Sequence, residues 1–301
     1  MFTFRRINKC SSTIKLLGIL LLLGVFAISC KKDREVIVDN NSAPPDGTIP
    51  NVVKENYVNK SYISILGRKP TNVELSAGIT KLNQNNVSIA NRNQMLDEIL
   101  SKPGYNQRLY NLSTSYLLNN LDTALITQYI YVFNGLLLDP QYASQYALIQ
   151  AEKTKLELLK ASVTDLESNA ISIIGLQKRC INNYFYDQIN MGTENFVTSM
   201  FQNFLYRYPT KEELTQSKLI VDGFEGVIFL KTGTVKADFI NIFFDSNNYF
   251  EGQVRDLYSK YVFREPTSAE MSEAAVAYKT SLDFKALQKK ILVTNEYVGI
   301  N

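Results

Sequence analysis

Three cysteines and 29 carboxylates make up most of the reactive inventory of a 301-residue chain that contains no histidine and no tryptophan. Without imidazole the chain has no Ser-His-Asp or Cys-His relay, no histidine metal ligand and no c-type haem attachment. Three thiols are too few for a four-cysteine zinc site. Carboxylate chemistry, serine or lysine nucleophiles and oxygen-ligated cations remain. Adjacent acids occur at Asp97-Glu98 and Glu212-Glu213. Two carboxylates facing each other across a cleft would be the arrangement for polysaccharide cleavage, whereas neighbours in sequence usually form a solvated helix face. No Asp-x-Asp-x-Asp-Gly calcium loop is present.

The cysteines divide by position. Arg5, Arg6, Lys9 and Lys15 precede an uncharged apolar run from Leu16 to Ile28, the layout of a secretory signal. At about 13 residues the run would extend only about 20 Å as a helix, short of a bilayer core. It ends in Ala27-Ile28-Ser29-Cys30 and turns at once to Lys31-Lys32-Asp33. This junction resembles a bacterial lipobox. The resemblance implies cleavage before Cys30, a diacylglyceryl thioether and an amide-linked acyl chain on that residue, and attachment through several chains, as stable anchoring requires. It also implies the outer membrane, because Lys31 stands where an inner-membrane lipoprotein commonly carries aspartate. Which face of that membrane the domain occupies is left open. No cofactor is expected beyond the covalent lipid.

Cleavage would remove four of the 32 basic residues and no acid, leaving 28 cations against 29 anions. The overall +3 thus resides in the signal, and nothing basic remains to attract nucleic acid. Cys10 leaves with the signal, Cys30 is taken by lipid, and Cys180 is expected to be buried as a small apolar residue. Residues 30–50 read as a polar tether, with Pro44-Pro45 and little apolar content.

The elements that position these groups are read from an internal repeat. Tyr57–Leu75, Phe196–Leu214 and Gln253–Met271 align without a gap over 19 positions. Val58, Val197 and Val254 coincide, as do Tyr62, Phe201 and Tyr258. Each segment continues into Arg-x-Pro-Thr-x-x-Glu: Arg68, Pro70, Thr71 and Glu74; Arg207, Pro209, Thr210 and Glu213; Arg264, Pro266, Thr267 and Glu270. Apolar spacing of three and four before the arginine predicts a helix, with proline stopping it and the arginine in its last turn. Threonine and glutamate three apart predict a capping box that starts a second helix. Arginine and glutamate are expected to pair across the turn. A later mark in each unit runs from Ile99 to Tyr105, Phe243 to Tyr249 and Ile291 to Tyr297, two apolar residues, mostly polar ones and a tyrosine.

The unit Leu66-Gly67-Arg68-x-Pro70-Thr71 with its downstream tyrosine resembles helical repeats of several uncharacterised bacterial secreted and surface families. Some relatives carry carbohydrate-associated or c-type cytochrome modules. The resemblance covers about half of the mature chain and implies helical architecture without a common activity. Tyr206 and Phe263 replace the glycine in the second and third units, so a shared role for Gly67 is left open.

The expected organisation is a signal over 1–29, a tether over 30–50 and an all-α domain over 51–301. Tandem helix-turn-helix units occupy about 51–108, 190–250 and 250–301, with a helical insertion over about 109–189. In the insertion, Asp122 is expected to cap a helix through Leu138, and Asp139-Pro140 to open one long amphipathic helix to about Ala170. That pair would be a hairpin packed on its own domain or presented to a partner. Val221 to Asp238 holds three glycines and a β-prone run and predicts a loop or small β-hairpin. Within it Lys231, Thr232, Gly233 and Thr234 are the candidate contact residues, without the glycine spacing of a phosphate loop. The function expected is a non-catalytic, outer-membrane-anchored scaffold or binding component of a cell-envelope complex. Its partners would be the membrane, through the lipid, and an envelope protein. The alternative is a glycan-binding or carboxylate-dependent polysaccharide-processing surface protein.

Overall fold

The computed structural model describes residues 48–300. The expected signal, Cys30 and nearly all of the expected tether lie outside the described residues. The domain is all-α apart from one small hairpin. In the first unit α1 (Asn51–Leu66), α2 (Asn72–Asn83) and α3 (Ile89–Leu100) lead into α4 (Tyr105–Leu117). The insertion holds α5 (Thr123–Leu136), a 3-10 helix (Pro140–Gln145), α6 (Tyr146–Lys160), α7 (Ser162–Glu167), α8 (Ile173–Ile181) and α9 (Tyr184–Ile189). The second unit has α10 (Thr193–Leu205), α11 (Lys211–Val221), strands β1 (Gly226–Ile228) and β2 (Lys231–Gly233), and α12 (Lys236–Asp245). Helix α13 (Asn247–Val262) closes the second unit and opens the third, which continues through α14 (Ser268–Ser281), α15 (Phe284–Leu292) and α16 (Asn295–Val298).

The repeated tyrosine explains how units join. Tyr105, Tyr249 and Tyr297 are all buried, each in the first turn of the helix that follows its unit's apolar pair. Ser246 and Thr294 cap two of those helices by accepting from the amides of Tyr249 and Tyr297. The last unit then closes onto the first. Tyr57 donates to the carbonyl of Leu292 at 3.1 Å, and Arg92 donates to Val293 O and Asn295 Oδ1 at 2.8 Å each. Tyr105 donates to Gln288 Oε1 at 2.6 Å, and the rings of Tyr57 and Tyr297 meet edge-on at 6.0 Å. These contacts satisfy the carbonyls that α15 leaves open at its end, as a buried helix terminus requires.

The long helix expected from Gln141 to Ala170 is broken into the 3-10 turn, α6 and α7. Asp139 accepts from the amide of Gln141, and Pro140 opens the 3-10 turn. At the second break, Ala161, the Ser162 hydroxyl donates to the Leu158 carbonyl at 3.0 Å, and Arg179 of α8 donates to the same oxygen at 2.8 Å and pairs with Asp165 at 2.6 Å. Cys180 is buried as expected, and burial pushes its thiol up to about 12, so the thiolate that would react is suppressed at neutral pH.

Candidate functional site

The conserved-spacing residues assemble into three copies of one clasp. In each, the guanidinium grips the glutamate with two parallel bonds: Arg68 to Glu74 at 2.7 and 2.9 Å, Arg207 to Glu213 at 2.7 Å twice, Arg264 to Glu270 at 2.8 Å twice. The same arginine donates to the carbonyl of the next residue, Lys69, Tyr208 or Glu265. The glutamate accepts from the amide of Thr71, Thr210 or Thr267 at 2.7–2.9 Å, and its own amide donates back to the threonine hydroxyl. All three capping boxes are therefore complete.

Two parts of the clasp were not legible as contacts. The guanidinium lies over the ring six residues upstream, 5.4 Å from Tyr62 and 5.1 Å from Phe201 and Tyr258. The fixed spacing of aromatic and arginine was the available signal. The third clasp is extended, because Arg264 also grips Glu296 of α16 through Nε and Nη2 at 2.8 and 2.7 Å. Lys102 reaches Glu74 at 3.2 Å in the first.

The arginines do not lie in the last helical turn, as the spacing predicts. Each helix ends two residues earlier, at Leu66, Leu205 and Val262, on a left-handed residue with φ of 70° at Gly67, 57° at Tyr206 and 58° at Phe263. The chain is already turning away when it reaches the arginine, which frees the guanidinium to reach across the turn; proline follows two residues later. The glycine position thus keeps one conformational role in all three units. Tyrosine and phenylalanine hold it against a steric cost of about 1–2 kcal/mol each.

The first and second units place a glycine at different points of this junction. A Cβ on Gly67 would lie 2.7 Å from Nε of Arg108, three residues after Tyr105. The equivalent position in the second unit, three after Tyr249, is Gly252, whose added Cβ would lie 1.9 Å from the Phe204 carbonyl oxygen. One unit puts the small residue at the turn and the large one on the facing helix. The other reverses them.

Electrostatically the clasps hold their carboxylates ionised. Bonds from the Arg264 guanidinium bring Glu270 from its ordinary 4.5 to about 2. Arg68 likewise holds Glu74 far below the carboxylate range. At Glu213 burial opposes, but the bonds from Arg207 and Thr210 prevail and the shift is again downward. Such groups stabilise the fold above the unfolded value and lose that contribution as pH falls through the folded one. No hydrogen bond or ion pair among the described residues joins one clasp to another.

The adjacent acids are similarly engaged: Asp97 pairs with Lys289, Glu98 with Lys81, Glu212 with Gln216, and Glu213 lies in its clasp. A groove of about 430 Å³ runs between α13 and α14, lined by Phe250, Met271, Ala275, Val276 and Lys279 with Glu251 as its one carboxylate. Among the described residues no three Cys, Asp or Glu side chains converge as a metal site.

The candidate contact residues fall in β2 and the turn after it, not in an open loop. Lys231 pairs with Asp245, Gly233 is buried against Ile220 and Asp238, and Thr234 donates to Asp238. What projects is the tip before them. Phe229 and Leu230 link Ile228 to Lys231 with φ of 50° and 64°, the left-handed pair of a type I′ turn usually made by Asn-Gly. Phe229 turns inward against Phe201 and Phe243, while Leu230 is 99% exposed.

Comparison with protein-family models, curated proteins and solved structures finds no match to this chain.

Proposed function

We propose that the protein is a lipid-anchored outer-membrane lipoprotein that serves as a non-catalytic scaffold or binding component of a cell-envelope complex. The observation that carries the reading is the threefold clasp. The arginine and glutamate repeated at fixed spacing, which a catalytic or ligand-binding reading would invoke, bind each other in every unit and serve to set helix directions. The sequence around Cys30 supplies the attachment. The closure of the last unit on the first supports a rigid platform rather than a flexible array.

Crosslinking in cells followed by affinity purification is the test of the scaffold role. It is expected to recover one envelope protein at a fixed ratio to the bait. Recovery of only abundant, unrelated proteins at variable ratios would contradict the proposal.

A further inference from the structure

Helix α5 is built for surroundings that the domain does not give it. From Thr123 to Leu138 the chain has no charged residue, yet Ile126 alone in this helix is fully buried. One side of α5 packs on the domain through Tyr129, whose ring lies 4.8 Å from Phe185 and 5.5 Å from Tyr184. Leu125 and Val132 flank Tyr129 at the edge of that side, Tyr131 points outward, and Leu138 lies in the turn two residues past the end of the helix. They are exposed by 39, 47, 79 and 83%. The outward side also carries the exposed Thr127, Gln128 and Asn134 but no charge, and exposed apolar side chains grouped on an uncharged helix mark an interaction surface.

We infer that α5 lies in the headgroup region of the bilayer to which Cys30 is attached. The inference rests on the proposed lipid anchor. Between Cys30 and the start of α1 at Asn51 lie about 20 residues, at most about 70 Å of chain. The domain is thereby confined beside a bilayer, and insertion of α5 becomes an intramolecular step, whereas a second copy or a soluble partner must first be met by diffusion. The exposed apolar side chains carry no charge to desolvate, and the Tyr131 phenol suits a boundary that is apolar below and wet above. At 14 residues α5 is about 21 Å long, and no described helix is long and apolar enough to cross a membrane. The helix therefore lies in the plane of the interface. Asp122 and Asp139 hold its two ends at the water side. Because α5 carries no lysine or arginine, the attraction is apolar and independent of anionic lipid.

The test uses the mature chain with Cys30→Ser, sedimented with vesicles of phosphatidylcholine and, separately, of phosphatidylethanolamine with phosphatidylglycerol. Wild-type α5 is expected to bind both compositions, at low and high salt alike. The double substitution Tyr131→Asp/Leu138→Asp is expected to lower the partition coefficient on the order of tenfold or more, since aspartates resist desolvation. Tyr131→Ser, too mild to disturb the helix, lowers it by a smaller factor. Leu230→Asp, at an exposed apolar tip elsewhere, leaves it unchanged. Failure of the parent chain to bind either vesicle, or binding that the α5 substitutions do not weaken, overturns the inference. So does a soluble dimer dispersed by the same substitutions without vesicle binding. Because this chain carries no lipid, its result does not depend on whether Cys30 is acylated in cells.

Discussion

Gly252→Ala is expected to destabilise the domain by about 3 kcal/mol or more, beyond the usual range for one extra methyl in a core. The added Cβ would sit 1.9 Å from the Phe204 carbonyl oxygen and 3.3 Å from Leu205 Cα. Those atoms are backbone at the end of α10, so no side chain can rotate out of the way. Relief requires α13 to move off α10, and α13 is shared by two units. In a domain of this size the loss corresponds to a fall in melting temperature on the order of 10 °C. Gly135→Ala provides the contrast. That glycine lies within α5 with open space around it, so alanine there is expected to stabilise by up to about 1 kcal/mol. Thermal denaturation of both variants checks the pair of signs. Equal, small effects would mean that α10 and α13 do not approach as described.

Arg264→Ala is expected to have the largest effect of the three clasp arginines, about 2 kcal/mol against about 1 kcal/mol for Arg68→Ala. Both side chains are more than a third exposed, which limits each value. The difference arises because Arg264 grips two carboxylates, Glu270 of its own clasp and Glu296 of α16, and lies over Tyr258. Its removal leaves two anions facing each other and loosens α16, which packs against the first unit. The effect carries a pH signature. Glu270 is ionised down to about 2 in the fold but to an ordinary 4.5 when unfolded. Its contribution is therefore complete above about pH 5 and fades as pH falls toward 2. Denaturant unfolding at pH 7 and pH 3 is expected to show a smaller gap between wild type and Arg264→Ala at the lower pH. A gap that does not change with pH would place the effect of Arg264 in packing rather than in the ion pair.

What could be read from residue order, and what could not, differ for a physical reason. Capping boxes, the repeat and the burial of Cys180 depend on neighbours a few residues away or on composition, and they stand in the structure as the spacing predicts. The end of each first helix depends on a left-handed residue. At Gly67 that conformation is natural, whereas nothing in the identity of Tyr206 or Phe263 announces it. Only their alignment with the glycine does so. The break at Ala161 is only partly local: the Ser162 hydroxyl donates to the Leu158 carbonyl four residues back, but the same oxygen is also taken by Arg179 reaching back from α8. The bare face of α5 was equally hidden. An apolar run shows that a helix seeks cover but cannot show which sides its neighbours reach. The cation over an aromatic ring was half visible, because the six-residue spacing was present in every unit while the turn that folds one over the other was not.

The central claim is that the domain is carried on a lipid attached to Cys30, and acyl labelling in cells tests it most directly. Cells that process lipoproteins, grown with an alkyne fatty acid, are expected to label the wild-type chain and to leave Cys30→Ser unlabelled. The mass of the purified product should correspond to residues 30–301 plus diacylglyceryl and acyl groups. A mature chain that begins elsewhere, or label that persists without Cys30, would contradict the account.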